Sequence, residues 1–164
     1  MERYSPLTSP AFILLTTLLI AACHPKELDD FNPMSNSCGQ EGNRISAVVD
    51  GDSWCANASV TAIVSDDQAA ILTGVGLTGA AITVQVDSIA YGDHPINEAD
   101  NAVLWMGGGQ NFTPRNDHPG ILTILSHDPA ARRLCARVTV TLFSETSGQQ
   151  REVVADLDVT YAQE

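Results

Sequence analysis

From Ile45 onward the chain is a succession of short apolar runs, rich in β-branched residues and broken by turn formers roughly every 8 to 15 positions. Successive side chains of a strand point to opposite faces of its sheet, so runs that alternate apolar with polar residues predict half-buried strands. Strands are expected at 45–49, 54–58, 60–64, 70–76, 82–89, 102–106, 120–127, 134–143 and 152–161, and no helical period competes with them. Between the first two lies Asp50-Gly51, a pair that suits a two-residue hairpin because both central positions can take positive φ.

Alternation is clearest in the last two runs. Leu134, Ala136, Val138, Val140 and Leu142 fall on one face, with Arg137, Thr139 and Thr141 on the other. Val153, Ala155, Leu157, Val159 and Tyr161 make a matching inward row, which turns Asp156 and Asp158 toward water. Polar breaks at 127–133 and 144–151 separate these runs from each other and from 120–127, so the three form an antiparallel meander. The fold expected is all-β: an antiparallel β-sandwich or flattened barrel of about eight to nine short strands. Trp54 shares its parity with Ala56 and is expected in the core. Two long connections, 90–101 and 107–119, have two readings: binding segments carried on a rigid sheet, or plain flexible connections, which Gly107-Gly108-Gly109 favours. Trp105, just before Gly107-Gly108-Gly109, has two readings, a core residue or a stacking platform; with Phe112 it marks the candidate binding surface.

The first 22 residues have a different texture. A short head with Arg3 leads into an apolar run from Ala11 to Ala22, too short for the roughly 20 residues of a membrane-spanning helix, and the run stops at Cys23. Ile20-Ala21-Ala22-Cys23 resembles the bacterial lipobox, in which the cysteine thiol receives the lipid and cleavage occurs just before it. The alternative is an ordinary secretory signal with an incidental Cys23. The organisation expected is a signal peptide over 1–22, an acylated Cys23 with an acidic tether over 23–43, and one β domain over 44–164. Lipid is then the first partner, held through Cys23, and the place is a bacterial envelope, with the outer membrane preferred and its face left open. The tether's Glu27, Asp29 and Asp30 resemble acidic stretches that route some lipoproteins to the outer surface.

Charge narrows the partners further. Removing residues 1–22 takes away one base and one acid, so the mature chain keeps the net charge of −12 and repels nucleic acid. An exported compartment lets Cys38, Cys55 and Cys135 pair. Parity turns both Cys55 and Cys135 outward, so they bridge if their strands are neighbours, with Cys38 as the competing partner for either. No Cys-x-x-Cys or zinc-finger spacing is present, and no cofactor is implied.

The order apolar strand, Asp50-Gly51, Trp54, Ala56, then Gly120, Leu122 and Ile124, then Leu134, Ala136, Val138 and Val140, and last Val159 and Tyr161 resembles a family of small envelope lipoproteins. That family is catalogued as domain of unknown function 6252. Where its members often carry Gly-Thr-Phe in the long strand, this chain has Ala136-Arg137-Val138. The resemblance implies no catalytic, metal or cofactor residue.

Chemistry-bearing residues are sparse. Asp93-His94-Pro95 and Asp117-His118-Pro119, with His127-Asp128, supply a metal site only if their loops converge, and their spacing fits Asp-x-Pro turns equally well. Ser126-His127-Asp128 places triad residue types on adjacent strand positions, which face opposite ways and cannot share a proton. The expected function is a non-enzymatic envelope module that binds a protein or a small ligand. The alternatives are a metal-assisted hydrolase using His94, His118 and His127, or a purely structural envelope protein.

Overall fold

A computed structural model describes residues 38–97 and 101–163. The expected signal peptide, Cys23 and most of the expected tether lie outside the described residues. The first strands in chain order are β1 (Asn43–Val49), β2 (Asp52–Cys55), β3 (Ser59–Val64) and β4 (Ala70–Val75). There follow β5 (Ala81–Val86), β6 (Gly92–Ile96), β7 (Ala102–Gly107) and β8 (Gln110–Phe112). The last are β9 (Gly120–Asp128), β10 (Arg133–Phe143), β11 (Gln150–Thr160) and β12 (Ala162–Gln163). They form two six-stranded sheets, ordered β2-β1-β11-β10-β9-β6 and β12-β3-β4-β5-β7-β8. All pairings are antiparallel except β12 with β3. The sheets pack face to face as a β-sandwich and are not closed into a barrel.

The alternating rows do what their period requires. Leu134, Ala136, Val138, Val140 and Leu142 are buried between the sheets, as are Val153, Ala155, Leu157, Val159 and Tyr161. The expected meander is β9-β10-β11. Asp50 (φ 51°) and Gly51 (φ 88°) make the tight turn between β1 and β2, with Val49 opposite Asp52. Three strands were not expected. β6 lies inside the 90–101 connection, β8 inside the 107–119 connection, and β12 at the chain's end.

Asp156 and Asp158 do not face water; they are only 8% and 4% exposed. They point outward as their parity dictates, but so do Arg137 and Arg133 on the neighbouring strand. Arg137 donates to both Asp156 oxygens (2.7 and 3.2 Å), and Arg133 to both of Asp158 (2.7 and 2.8 Å). A forked guanidinium laid along a carboxylate covers it while satisfying its lone pairs. The Asp156–Arg137 pair belongs to a polar row that crosses the sheet in register, Ser46–Asp156–Arg137–Thr123–Asp93, closed by Thr123 donating to Asp93 at 2.7 Å.

A disulfide joins Cys38 to Cys55, with Cα atoms 5.3 Å apart, so a Cys55–Cys135 bridge is corrected in favour of the competing partner. Parity does give Cys55 and Cys135 one face, but β1 and β11 stand between β2 and β10. Three strand spacings amount to about 14 Å, and a disulfide needs Cα atoms within about 7 Å. The bridge also moves the start of the domain. Residues 38–42, expected in the tether, are fastened to the sandwich by this disulfide, by Glu41 on Arg133 (2.8 Å) and by the Gly42 amide on Asp158 (3.1 Å).

Its loop separation of 17 residues is short enough that the constraint is local. Replacing Cys38 and Cys55 together by Ser is expected to lower stability by about 2–4 kcal/mol in a urea titration. An unchanged midpoint would show that the first described residues hold to the sandwich without the bridge.

Candidate functional site

Sheet geometry gives the first sheet two unlike ends. The chain comes in at Asn43, beside Arg133 and Thr160, and β1 runs six residue steps, about 20 Å, before its turn at Asp50. β10 runs ten steps from Arg133, about 33 Å, to Phe143. At this far end the β1–β2 turn, the β7–β8 turn, the segment 113–118 and the β10–β11 loop surround two clefts.

The first cleft, about 360 Å³, is lined by Trp54, Trp105, Asp50, Asp52, Gly107 and Arg151 among others. The two indoles meet edge to face, 5.1 Å between centroids at 87°, a favourable geometry for their quadrupoles. They fit because glycines oppose them: a Cβ on Gly76 would lie 2.8 Å from Trp54 Nε1, and one on Gly107 would lie 2.8 Å from Trp105 Nε1. The second cleft, about 380 Å³, is lined by Thr113, Pro114, Arg115, Phe143, Ser144, Glu145 and Gly148. Each volume falls within the 300–1,000 Å³ typical of small-molecule sites.

Arg151 and its neighbours tie the clefts together. Arg151 donates to Asp50 and lies 5.3 Å over the Phe112 ring, and the Glu152 amide donates to the other Asp50 oxygen at 2.8 Å. Ser147 and Gln110 bond at 2.6 Å, and backbone bonds between Thr113 and Phe143 (3.0 and 2.8 Å) join the two sheets. Arg115 and His118 both pack against the Phe143 ring, at 5.1 and 5.0 Å. Partial burial raises the Asp50 pKa, but the bonds from Arg151 and the Glu152 amide, with the Arg151 charge, outweigh it and leave the carboxyl below its ordinary value. Asp117 is likewise lowered, by its bond from His118 first and then by Arg115. Two buried side-chain atoms among the described residues have no hydrogen-bond partner, Trp54 Nε1 and Ser144 Oγ, and each belongs to a residue that lines one of the clefts.

The expected binding surface is corrected by this arrangement. Trp105 is 6% exposed and Phe112 1%, because they stand opposite each other on β7 and β8 with both rings between the sheets. Trp105 still forms part of the first cleft's wall, whereas Phe112 supports Arg151 from within. The residues that shape the site and were not singled out are Arg115, Phe143, Ser144 and Arg151. Their only advance signal is position, at the ends of the two longest strands and in the 107–119 connection.

The histidines are not brought together. His94, on β6, bonds through Nε2 to the Ala90 carbonyl (2.7 Å); His118 pairs with Asp117 (3.2 Å); His127 Nε2 bonds to the Tyr161 hydroxyl (2.8 Å). His94 stands opposite Leu122, five residues or about 16 Å along β9 from His127, and His118 precedes the other end of that strand. Among the described residues no group of three or more His, Cys, Asp or Glu is placed to hold a metal ion.

Fold and site together define a β-sandwich with two clefts at the end remote from where the chain comes in. No family model, curated protein or solved structure matches the chain, so the family resemblance stands on the residues quoted for it alone.

The Asp50–Arg151 latch can be tested by pH. Asp50→Asn keeps a residue type that tolerates positive φ and removes the charge, and is expected to cost about 0.5–1 kcal/mol at pH 7, the range of a partly exposed pair. Because the folded pKa is depressed, this stabilisation is complete above the unfolded carboxyl value and is lost as pH falls through the folded one. Urea titrations at pH 7 and pH 2 should therefore show the two proteins converging in acid. A gap of equal width at both pH values would mean that the charge is not what matters.

Proposed function

We propose that this chain is a lipid-anchored binding module of a bacterial envelope, without catalytic activity of its own. Cys23 carries the acyl chains, residues 24–37 form the tether, and the sandwich presents its clefted end away from the bilayer. The observation that carries this reading is the opposition of the two ends. The tether joins where Glu41 and Arg133 meet, and the clefts lie about 20–33 Å along β1 and β10 from that point. A module anchored at one end and recessed at the other holds its recesses open to soluble or polymeric ligands. The net charge of −12 favours a standing separation from anionic head groups. A hydrolase would need histidines that converge on one reacting atom, and His94, His118 and His127 each serve a different local bond.

Intact mass and peptide mapping of the full-length chain expressed in bacteria test the anchor. The expected result is a mature protein beginning at Cys23 with fatty acid on that residue, and a Cys23→Ser protein that leaves the membrane fraction. Fatty acid retained by the Ser variant, a mature chain without lipid, or Cys23 recovered in a disulfide would overturn it.

A further inference from the structure

Charge is divided unevenly between the two sheets. The strands of the second sheet, β12-β3-β4-β5-β7-β8, contain no Asp, Glu, Lys, Arg or His. Those of the first carry, among others, Arg44, Asp93, Arg133, Arg137, Asp156 and Asp158. An antiparallel sheet with one face on the core ordinarily turns polar and charged side chains to water on the other, so an outer face without charge, in a chain of net charge −12, calls for a cause. Register fixes what that face presents. Thr61, Thr73, Thr83 and Leu104 stand opposite one another in a row across β3, β4, β5 and β7, with the Thr73 and Thr83 hydroxyls bonded at 3.3 Å. One neighbouring row runs through Ile63, Ile71 and Gln85, the other through Val75 and Met106 to Asn111. These side chains point away from the core, because the alternate positions Leu72, Val84 and Val103 are buried between the sheets, and Ile71 is left 49% exposed.

We propose that this face pairs with itself, joining two copies of the chain into a two-fold dimer. Its chemistry is self-complementary. The polar side chains on these strands that point outward, Ser59, Thr61, Thr73, Thr83, Gln85 and Asn111, are hydroxyls or amides, which both donate and accept, so each meets its own kind without conflict. Ile63, Ile71, Leu104 and Met106 need only apolar surface opposite them. A charged residue near a two-fold axis would instead meet a like charge, and two copies of net charge −12 already repel. The uncharged face is where they approach without setting like charges directly against each other. At strand and residue spacings of about 4.8 and 3.3 Å, β3, β4, β5, β7 and β8 present about 430 Å² in plan, the small end of specific interfaces, so micromolar affinity is expected. Asp66 and Asp67 in the β3–β4 turn and Asp87 after β5 lie at one end of the face, while the turn 76–80 at the other end has no charge. A two-fold axis running across the strands sets each acidic end against the uncharged end of the other copy. It also brings Thr83, at the middle of the central strand β5, beside its counterpart.

Sedimentation equilibrium of the full-length chain, in a neutral detergent matched to the solvent density, tests this independently of the anchor and the clefts. A reversible monomer–dimer equilibrium is expected, tighter in about 0.5 M than in about 0.05 M salt, because the repulsion is screened while no ion pair is lost. Thr83→Glu and Thr83→Lys should each weaken the dimer about ten-fold or more by setting like charges against each other, and an equimolar mixture of the two should associate again. Gln85→Glu, isosteric and at an exposed position, should weaken it with the melting temperature unchanged, and carries the test should the Thr83 variants unfold. Thr139→Glu, exposed on the outer face of the first sheet, should leave the dimer as it is. A chain that is monomeric at every concentration, a dimer weakened by salt, or one weakened as much by Thr139→Glu as by Gln85→Glu would overturn the proposal. So would folded Thr83→Glu and Thr83→Lys chains that stay apart when mixed.

Discussion

Eleven consecutive residue pairs join β10 to β11, from Arg133 opposite Thr160 to Phe143 opposite Gln150, and the rest of the first sheet is laid against this hairpin. β1 pairs along the other side of β11, and β9 along the other side of β10. Such a pair must satisfy both of its faces. Inward, nine apolar side chains are removed from water, the leucines and valines among them each contributing up to about 1.5–3 kcal/mol if burial is complete. Outward, the same alternation brings Arg133 and Arg137 onto Asp158 and Asp156, so charged groups are shielded without being left unpaired. Such bidentate pairs add less to net stability than apolar packing does. What they add is register: a slip of one residue would put aspartates into the core and leave the arginines alone. The bonds from Asp158 first, and from Glu41, raise the Arg133 pKa further above its ordinary value despite partial burial, so the guanidinium keeps its charge at any pH the fold survives.

A hairpin fixed at every position along its length also fixes what projects from its end. The loop 144–149 is placed by the last pair of β10 and β11, and its own backbone bonds, Ser144 to Gln149 and Gly148 to Ser144, leave it little freedom. Arg151, at the start of β11, reaches the β1–β2 turn at Asp50 and the Phe112 ring on the opposite sheet. The two clefts are therefore walled by side chains whose backbones are held by regular pairing or by tight turns, the condition under which a recess keeps its shape before a ligand arrives.

How much of this was legible follows from which relations are local. Alternation in 134–143 and 152–161 is local, and it located the core rows and the meander. The Asp50-Gly51 turn is local too, because positive φ at two adjacent positions restricts the residues that serve. Parity, however, names a face and not what covers it. Asp156 and Asp158 were assigned the correct side and the wrong environment, since the arginines that cover them come from another strand. Strand order is non-local in the same way, so Cys55 and Cys135 share a face yet stand three strands apart. β6 and β8 escaped because five residues with Pro95, or three beginning Gln110-Asn111, carry no period to detect. Ser144 and Arg115 are ordinary loop residues in sequence, and their proximity arises only when segment 113–118 crosses to Phe143.

The short strands also bear on where recognition can occur. An open sandwich has four sheet edges, and a long bare edge is itself a binding site for any extended chain. Here β2 has four residues and is clipped by the Cys38–Cys55 bridge, β6 contains Pro95 and so lacks one donor, β8 has three residues, and β12 has two. Each offers few backbone groups in line, so strand addition along these edges is poorly supported. With its edges blunted and its inner faces filled, the described part of the sandwich has the two clefts where the loops converge beyond the ends of β1 and β10. Among the described residues, the two buried polar side-chain atoms without a partner belong to residues that line those clefts, Trp54 in one and Ser144 in the other.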